Sequence, residues 1–232
     1  MSKKISAVAL AILLGGCVTG QTTSFRAGAG QIALVRDGRP SVASDKAKTS
    51  VVLAPSARQA PVGARPSLVV AIQNRSAQPV TFRLAGVRAE QRSGEADGRS
   101  LKVFTYEDLV AEEQARQVAA AILVGVAAGA NAAAASHSSR NPYVSAWNQH
   151  VATRENTEMM SSVAAQGSLN LATLEKTIIK DNTLMPGEWY GGVMQIEPPA
   201  TSGPEQSSAY SLDIEVGGEH HVFEVTQNPI KS

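Results

Sequence analysis

Nineteen consecutive uncharged residues, 118–136, ten of them alanine, sit between two stretches patterned for β-strands. Alanine is the strongest helix former. Strands instead favour β-branched and aromatic side chains, so a sheet has little use for such a run. Any fold for this chain must splice a long helix into a β framework. Thr105 and Asp108 have the spacing of a capping box. Glu107, Asp108, Glu112 and Glu113 follow where the helix dipole favours negative charge. The polar residues 136–141 end the helix, and Asn141-Pro142 reads as an N-cap with proline at the first helical position. Tyr143, Trp147 and Val151 then recur at every fourth residue, and Met159, Met160, Val163 and Ala164 extend the stripe. Gly167 is expected to break this second helix before residues 169–179. Residues 105–182 are therefore predicted to be a helical hairpin.

The flanks change period. Residues 50–54, 67–73 and 80–89 read as strands, the last alternating Val80, Phe82 and Leu84 against Thr81, Arg83 and Ala85. Gly86 marks a predicted bulge. Residues 100–104 begin a further strand. After the helices, residues 189–196 and 210–216 are strands, and Gly217-Gly218 is a two-residue hairpin turn leading into 221–226. Residues 17–48 are rich in Gly, Ser, Thr and Ala and read as a tether, with one short strand at Gln31–Arg36.

The N-terminus has a basic pair, Lys3 and Lys4, then a short apolar segment, then small residues before Cys17, the one cysteine of the 232 residues. That is the grammar of a bacterial export signal, too short to span a bilayer. The string Leu14-Gly15-Gly16-Cys17 resembles the lipobox of bacterial lipoproteins. The resemblance implies a signal peptide over 1–16, cleavage before Cys17 and lipid attachment at that residue. It implies a membrane partner held through the lipid anchor. Val18, rather than Asp, implies the outer membrane, with the protein facing the periplasm.

A second resemblance concerns the fold. Residues 69–82 (VVAIQNRSAQPVTF) and 185–193 (MPGEWYGGV) are similar to small extracytoplasmic immunoglobulin-like domains of bacterial lipoproteins. Together with the strand count this implies an α+β chain: an Ig-like antiparallel β-sandwich interrupted by a long Ala/Gly-rich helical hairpin. The first half of the sandwich is expected over 49–104 and the second over 183–228.

Reactive chemistry is sparse. One cysteine excludes an internal disulfide and a multi-cysteine metal site. His220 and His221 are adjacent on a predicted strand and point to opposite faces, while Glu219, His221 and Phe223 share one. Ser136-His137-Ser138-Ser139 sets a histidine beside serines, but adjacency in sequence is not a triad. Paired carboxylates at Glu112-Glu113 and at Glu155 and Glu158 read as helix-solvating groups. Ala27-Gly28-Ala29-Gly30 lacks the strand and helix of a phosphate-binding loop. Trp189, Tyr190 and Tyr210 read as core or, alternatively, as lining for a groove. No catalytic residue, metal ligand or cofactor is expected.

Formal net charge is +1, which gives no bulk drive toward nucleic acid. The charge is unevenly placed: residues 18–102 hold 13 basic and 5 acidic residues, and residues 103–232 hold 6 and 15. The halves are complementary, either to each other or to an anionic surface. Gly125 and Gly129 form a GxxxG spacing, extended by Ala121 and by Ala132 and Ala133. Small residues at this spacing let helix backbones approach closely. Three uses are open: packing on the second helix, association with a copy or another envelope protein, and entry into a membrane. The expected function is structural, with Ala121, Gly125, Gly129 and Ala132 as the contact. The alternative is a binding module for a small ligand, glycan or anionic lipid. A weaker one is a periplasmic hydrolase using His137 or His150.

Overall fold

The computed structural model describes residues 20–36, 38–92, 97–137, 141–201 and 206–230, with the backbone alone at 136 and 137. The export signal, Cys17 and Val18 lie outside the described residues. Two antiparallel sheets and two long helices make up the chain, an α+β arrangement.

One sheet contains β1 (Gly20–Arg26), β5 (Ala60–Pro61), β7 (Val80–Gln91), β8 (Ser100–Leu101), β10 (Asn182–Leu184), β12 (Ser208–Val216) and β13 (Glu219–Pro229). The other contains β2 (Gln31–Arg36), β3 (Arg39–Asp45), β4 (Thr49–Pro55), β6 (Ser67–Asn74), β9 (Val103–Phe104) and β11 (Trp189–Ile196). Helices α1 (Tyr106–His137) and α2 (Pro142–Thr177) lie between β9 and β10 in sequence. The alternating residues of both sheets meet in one core. Val51, Leu53, Leu68, Val70 and Ile72 come from one side; Phe82, Leu212, Ile214, Phe223 and Val225 come from the other. Each fully buried side chain of this size contributes about 1.5–3 kcal/mol.

The β12–β13 hairpin forms as its sequence predicts, with Val216 opposite Glu219 and positive φ at both Gly217 and Gly218. The β7–β12 register shifts between Ile214 and Val216, opposite the predicted bulge at Gly86. Where a tether was expected over 17–48, the described residues form the strands β1, β2 and β3. β1 pairs with β13 from Gln21↔Pro229 to Arg26↔Glu224, and β2 and β3 form a hairpin on the edge of the other sheet. Strand formation here comes from backbone pairing with distant partners, which composition does not register.

The two ends of the sheets differ. At one end lie Gly20, Ala60, Ser67 and Gln195, joined by the pairings Gly20↔Pro61 and Gln195↔Ser67. At the other end lie Thr49, Asn74, Leu184 and Gly217. There the Asn74 amide donates to the Leu184 carbonyl at 2.9 Å.

At this second end a buried polar chain ties the sheets together. His221 on β13 is fully buried. Its Nε2 lies 2.8 Å from Thr49 Oγ1 and its Nδ1 3.0 Å from Ser44 Oγ, both on the opposite sheet. The Thr49 hydroxyl donates to Glu219 at 2.7 Å. Glu219 also accepts from the amides of Lys48 and Thr49. Thr49 therefore accepts from a Nε2–H, and Nδ1 accepts from Ser44: the chain is satisfied by a neutral imidazole. Burial pushes the His221 pKa down, against the pull of Glu219 that raises it. Burial raises the Glu219 pKa, but its hydrogen bonds from Thr49 and the two amides outweigh that, and the net shift is downward.

A group whose folded pKa lies below its unfolded value makes the unfolded chain the better proton binder as pH falls. Stability should therefore decline once pH drops below about 6.5, the unfolded value for histidine. Thermal melting followed from about pH 7.5 to about pH 5.5 should show a falling Tm. In His221→Gln that step should flatten.

Candidate functional site

The hairpin is fastened to the sheets at its base. Thr105 and Asp108 form the reciprocal capping box, with Thr105 N donating to Asp108 at 3.0 Å and Asp108 N to Thr105 Oγ1 at 3.1 Å. Lys102, paired with Asp108 at 2.8 Å, and the Thr105 hydrogen bonds hold the Asp108 carboxyl below its ordinary range. Phe104, Leu109 and Ile178 form a small apolar cluster with Leu174 and Val193. Arg65 grips Glu112 through two hydrogen bonds of 2.7 Å, and its guanidinium stacks 3.9 Å over the Phe104 ring. This pair holds the Glu112 carboxyl below its usual pKa.

On the exit side, Lys180 pairs with Glu175 at 2.6 Å and lies 4.0 Å over the Tyr106 ring. The Tyr190 hydroxyl accepts from Lys180 N and donates to Lys180 O. A Cβ at Gly192 would sit 2.8 Å from Ile179 N and 2.9 Å from Thr177 O. Glycine is required there for the chain leaving α2 to cross β11.

Along α1, contacts pass from Lys180 at Tyr106, through Val193 at Leu109, to Arg65 at Glu112. That path runs up β11 toward the end holding Ser67 and Gly20. The hairpin leaves the sheets at the end where Gly20 begins β1.

Beyond its base the seam carries several polar contacts. Glu113, buried, accepts from Arg116 at 2.6 Å, Asn170 at 2.9 Å and Gln117 at 3.4 Å. Asn156 donates to the Ala128 carbonyl at 3.2 Å, and Asn131 approaches Asn156 at 3.5 Å. These contacts pair rising α1 numbers with falling α2 numbers, so the helices are antiparallel. Gln117, Ala120, Val124 and Ala128 of α1 are half-buried, as are Ser145, Asn148, Asn156 and Val163 of α2. This spacing of three and four makes one seam.

The predicted break at Gly167 does not occur: α2 is continuous. Gly167 is buried in the seam, where a Cβ would meet the Gln117 side chain at 2.3 Å. It serves close approach of the helices, not termination.

Ala121, Gly125, Gly129 and Ala132 are not in that seam. All four are exposed, and a Cβ on Gly125 or Gly129 would meet nothing within 4 Å. At about 100° per residue they lie roughly a quarter turn from the seam. Packing of the GxxxG groove against α2, one of the three uses open in the sequence, is thereby excluded. Val118 and Ile122, seven residues before Gly125 and Gly129, lie along the same line, and Val126 and Leu123 lie farther round; all four are 61–71% exposed. Tyr143 and Trp147 of α2 are exposed by 86% and 67%, so the aromatic start of the expected α2 stripe faces outward. Arg154 and Glu158 form an exposed pair at 3.7 Å on the side of α2 away from α1. The seam thus has polar groups near the base and small or apolar ones farther out, while α1 exposes apolar side chains and α2 a charged pair.

The remaining candidates do not converge. Trp189 is half-exposed near the far end of the sheets, Tyr190 is tied to Lys180, and Tyr210 is buried in the core. His150 neighbours Trp147 on α2, with ring centroids 6.4 Å apart. The side chains of Ser136 and His137, and all of Ser138 and Ser139, lie outside the described residues. Glu155 is exposed on α2. The 27–30 glycine segment is the turn between β1 and β2. His220 is exposed and pairs with Asp213 at 3.0 Å. His221, which the sequence places on one strand face with Glu219 and Phe223, is fully buried; the apolar alternation of Phe223 and Val225 is the signal for it. Among the described residues no group of three or more His, Cys, Asp or Glu could hold a metal ion. A depression of about 300 Å³ at the hairpin base is lined by Arg65, Glu112, Glu113 and Arg116, whose charges are already paired with each other.

No protein-family model, no curated protein and no solved structure matches the chain.

The two classes of helix glycine should respond oppositely. Gly125→Ala, in open space, should stabilise the fold by up to about 1 kcal/mol through helix propensity. Gly167→Val, inside the seam, should destabilise it by about 1–3 kcal/mol through overpacking. Denaturant unfolding of both variants checks the contrast.

Proposed function

We propose that this chain is an outer-membrane lipoprotein with a structural role, whose helical hairpin associates with copies of itself. In this reading Cys17 carries the lipid, and the two sheets are an immunoglobulin-like sandwich acting as a scaffold. Two antiparallel sheets sharing one core support the sandwich reading. The base contacts of Arg65, Phe104 and Lys180 hold the hairpin at a fixed attachment, which suits a docking element.

The observation that carries the proposal is the open groove at Ala121, Gly125, Gly129 and Ala132. It is solvent-exposed, a Cβ at either glycine would meet nothing within 4 Å, and Val118, Ile122 and Val126 beside it are exposed. Four uncharged, small positions on one helical line cost the isolated helix propensity at each glycine. A second helix seated in the groove returns close backbone contact over its length.

Gly125→Leu combined with Gly129→Leu fills the groove without touching the seam. The double variant should retain its circular dichroism spectrum and lose its higher-order species in native mass measurement. An unchanged assembly with an intact fold would refute the groove as the contact.

A further inference from the structure

One long sheet edge stands open, far from the hairpin in sequence. β2 ends the sheet that runs β2–β3–β4–β6–β11–β9, and β3 is its one strand partner. We propose that β2 is a second contact between copies of this chain, pairing antiparallel with β2 of another copy about a two-fold axis at Ala33. The contact goes beyond the hairpin groove and does not depend on it.

An edge strand presents a row of unpaired N–H and C=O groups, and folds protect such rows with short, charged or kinked edges. The other terminal strands follow that rule: β5 and β9 have two residues each and β10 has three. β2 has six, with no proline or glycine, no shift of register against β3, and one charge, Arg36, at its end. Ile32, Leu34 and Val35 are 46–79% exposed.

The exposure has a structural cause. Residues directly opposite one another in a ladder share a face. Ala33 lies opposite Val42, a core residue, so Ala33 and Val35 belong to the inner face and Ile32 and Leu34 to the outer one. The facing sheet ends with β1, which lies against β3, and the short β5. β2 therefore overhangs the sandwich, with both faces in solvent.

The edge is also preformed. The Gln31 amide donates to the Gly28 carbonyl at 3.1 Å, away from β3. Backbone direction alternates along an antiparallel ladder, so Ala33 and Val35 also aim N–H and C=O away from β3. Pro40, opposite Val35, has no N–H to give, as that alternation allows. The Gln31 side chain donates to the Val222 carbonyl at 2.6 Å and fastens the start of β2 to β13.

Such an edge fits its own copy. About a two-fold at Ala33, Ala33 exchanges both hydrogen bonds with its counterpart, and the Val35 amide donates to the second copy's Gln31 carbonyl. On the outer face Ile32 of each copy meets Leu34 of the other, in one apolar row. Charge selects a copy over an unrelated strand. Arg36 is exposed and joins no ion pair among the described residues. Across the axis it falls one residue past the second copy's Gln31. Asp45, exposed and 3.8 Å from Arg75, stands one residue past Ser44, the β3 partner of Gln31. Two strand spacings, about 10 Å at Cα, separate Arg36 from that Asp45. Gly30 lies between them without a side chain, so the guanidinium can pass over it to the carboxylate. The two-fold makes this match twice.

The test uses the full-length chain in detergent. Ala33→Cys and Ile32→Cys are oxidised mildly beside the unsubstituted chain, which controls for Cys17. Directly paired residues stand about 5.5 Å apart at Cα, within disulfide range. Ile32 is offset from its counterpart, so Ala33→Cys should give a reducible dimer and Ile32→Cys none. Native mass is then measured for Gly125→Leu with Gly129→Leu, alone and with Val35→Pro added. That proline removes an outward N–H and leaves the bonds to β3 in place; Leu34→Lys replaces it if the variant fails to fold. The groove-silenced chain should be a dimer, and Val35→Pro should make it a monomer. A groove-silenced monomer with no disulfide at position 33 would overturn the proposal and leave the groove reading standing. A disulfide at position 32 and not at 33 would overturn the register, and a dimer that survives Val35→Pro would overturn the contact. A disulfide at position 33 in an assembly that the groove substitutions leave unchanged would support this contact and refute the groove alone.

Discussion

The seam between α1 and α2 is the constraint on which the rest of the molecule depends. Glu113, Gln117, Asn156 and Asn170 use the hairpin interior for hydrogen bonds, and Gly167 lets the helices close over them. Buried polar groups left without partners would cost about 1–3 kcal/mol each, so the seam admits one register. Farther out the seam is filled by Ala120, Val124, Ala128, Ala152 and Val163, small enough for the helices to stay close. Val118, Ile122, Leu123 and Val126 lie on the other sides of α1 and stay exposed.

The base of the hairpin sets its direction. Arg65 with Glu112, Lys102 with Asp108, and Arg99 with Glu197 at 3.2 Å join the basic first half of the chain to the acidic second half. The opposite charges of the two halves are thus spent partly on one another. Individually such half-exposed pairs are worth about 0–1 kcal/mol. Together with three cation–π contacts on Phe104 and Tyr106, they fix where the hairpin leaves the sheets.

Much of this was legible in the sequence because local signals agreed with tertiary need. The alanine run, the Thr105–Asp108 box and the Asn141-Pro142 cap state helix ends in side-chain chemistry, and each forms as written. Gly217-Gly218 states its turn in the same way. What the sequence hid depends on distant partners. β1 and β3 are strands because β13, β2 and β4 pair with them. Gly167 looked like a helix breaker because Gln117, fifty residues away, is invisible to local pattern. His221 looked ordinary because Ser44 and Thr49 supply its partners from the other sheet. The groove at Gly125 and Gly129 was visible as spacing; that it faces away from α2 required coordinates.

The central claim is that the hairpin carries an outward surface built for copies of itself. The native mass of the lipidated, detergent-extracted protein at endogenous level tests it most directly. The account predicts a particle whose protein mass is a multiple of the mature chain. A single chain in the particle would contradict it.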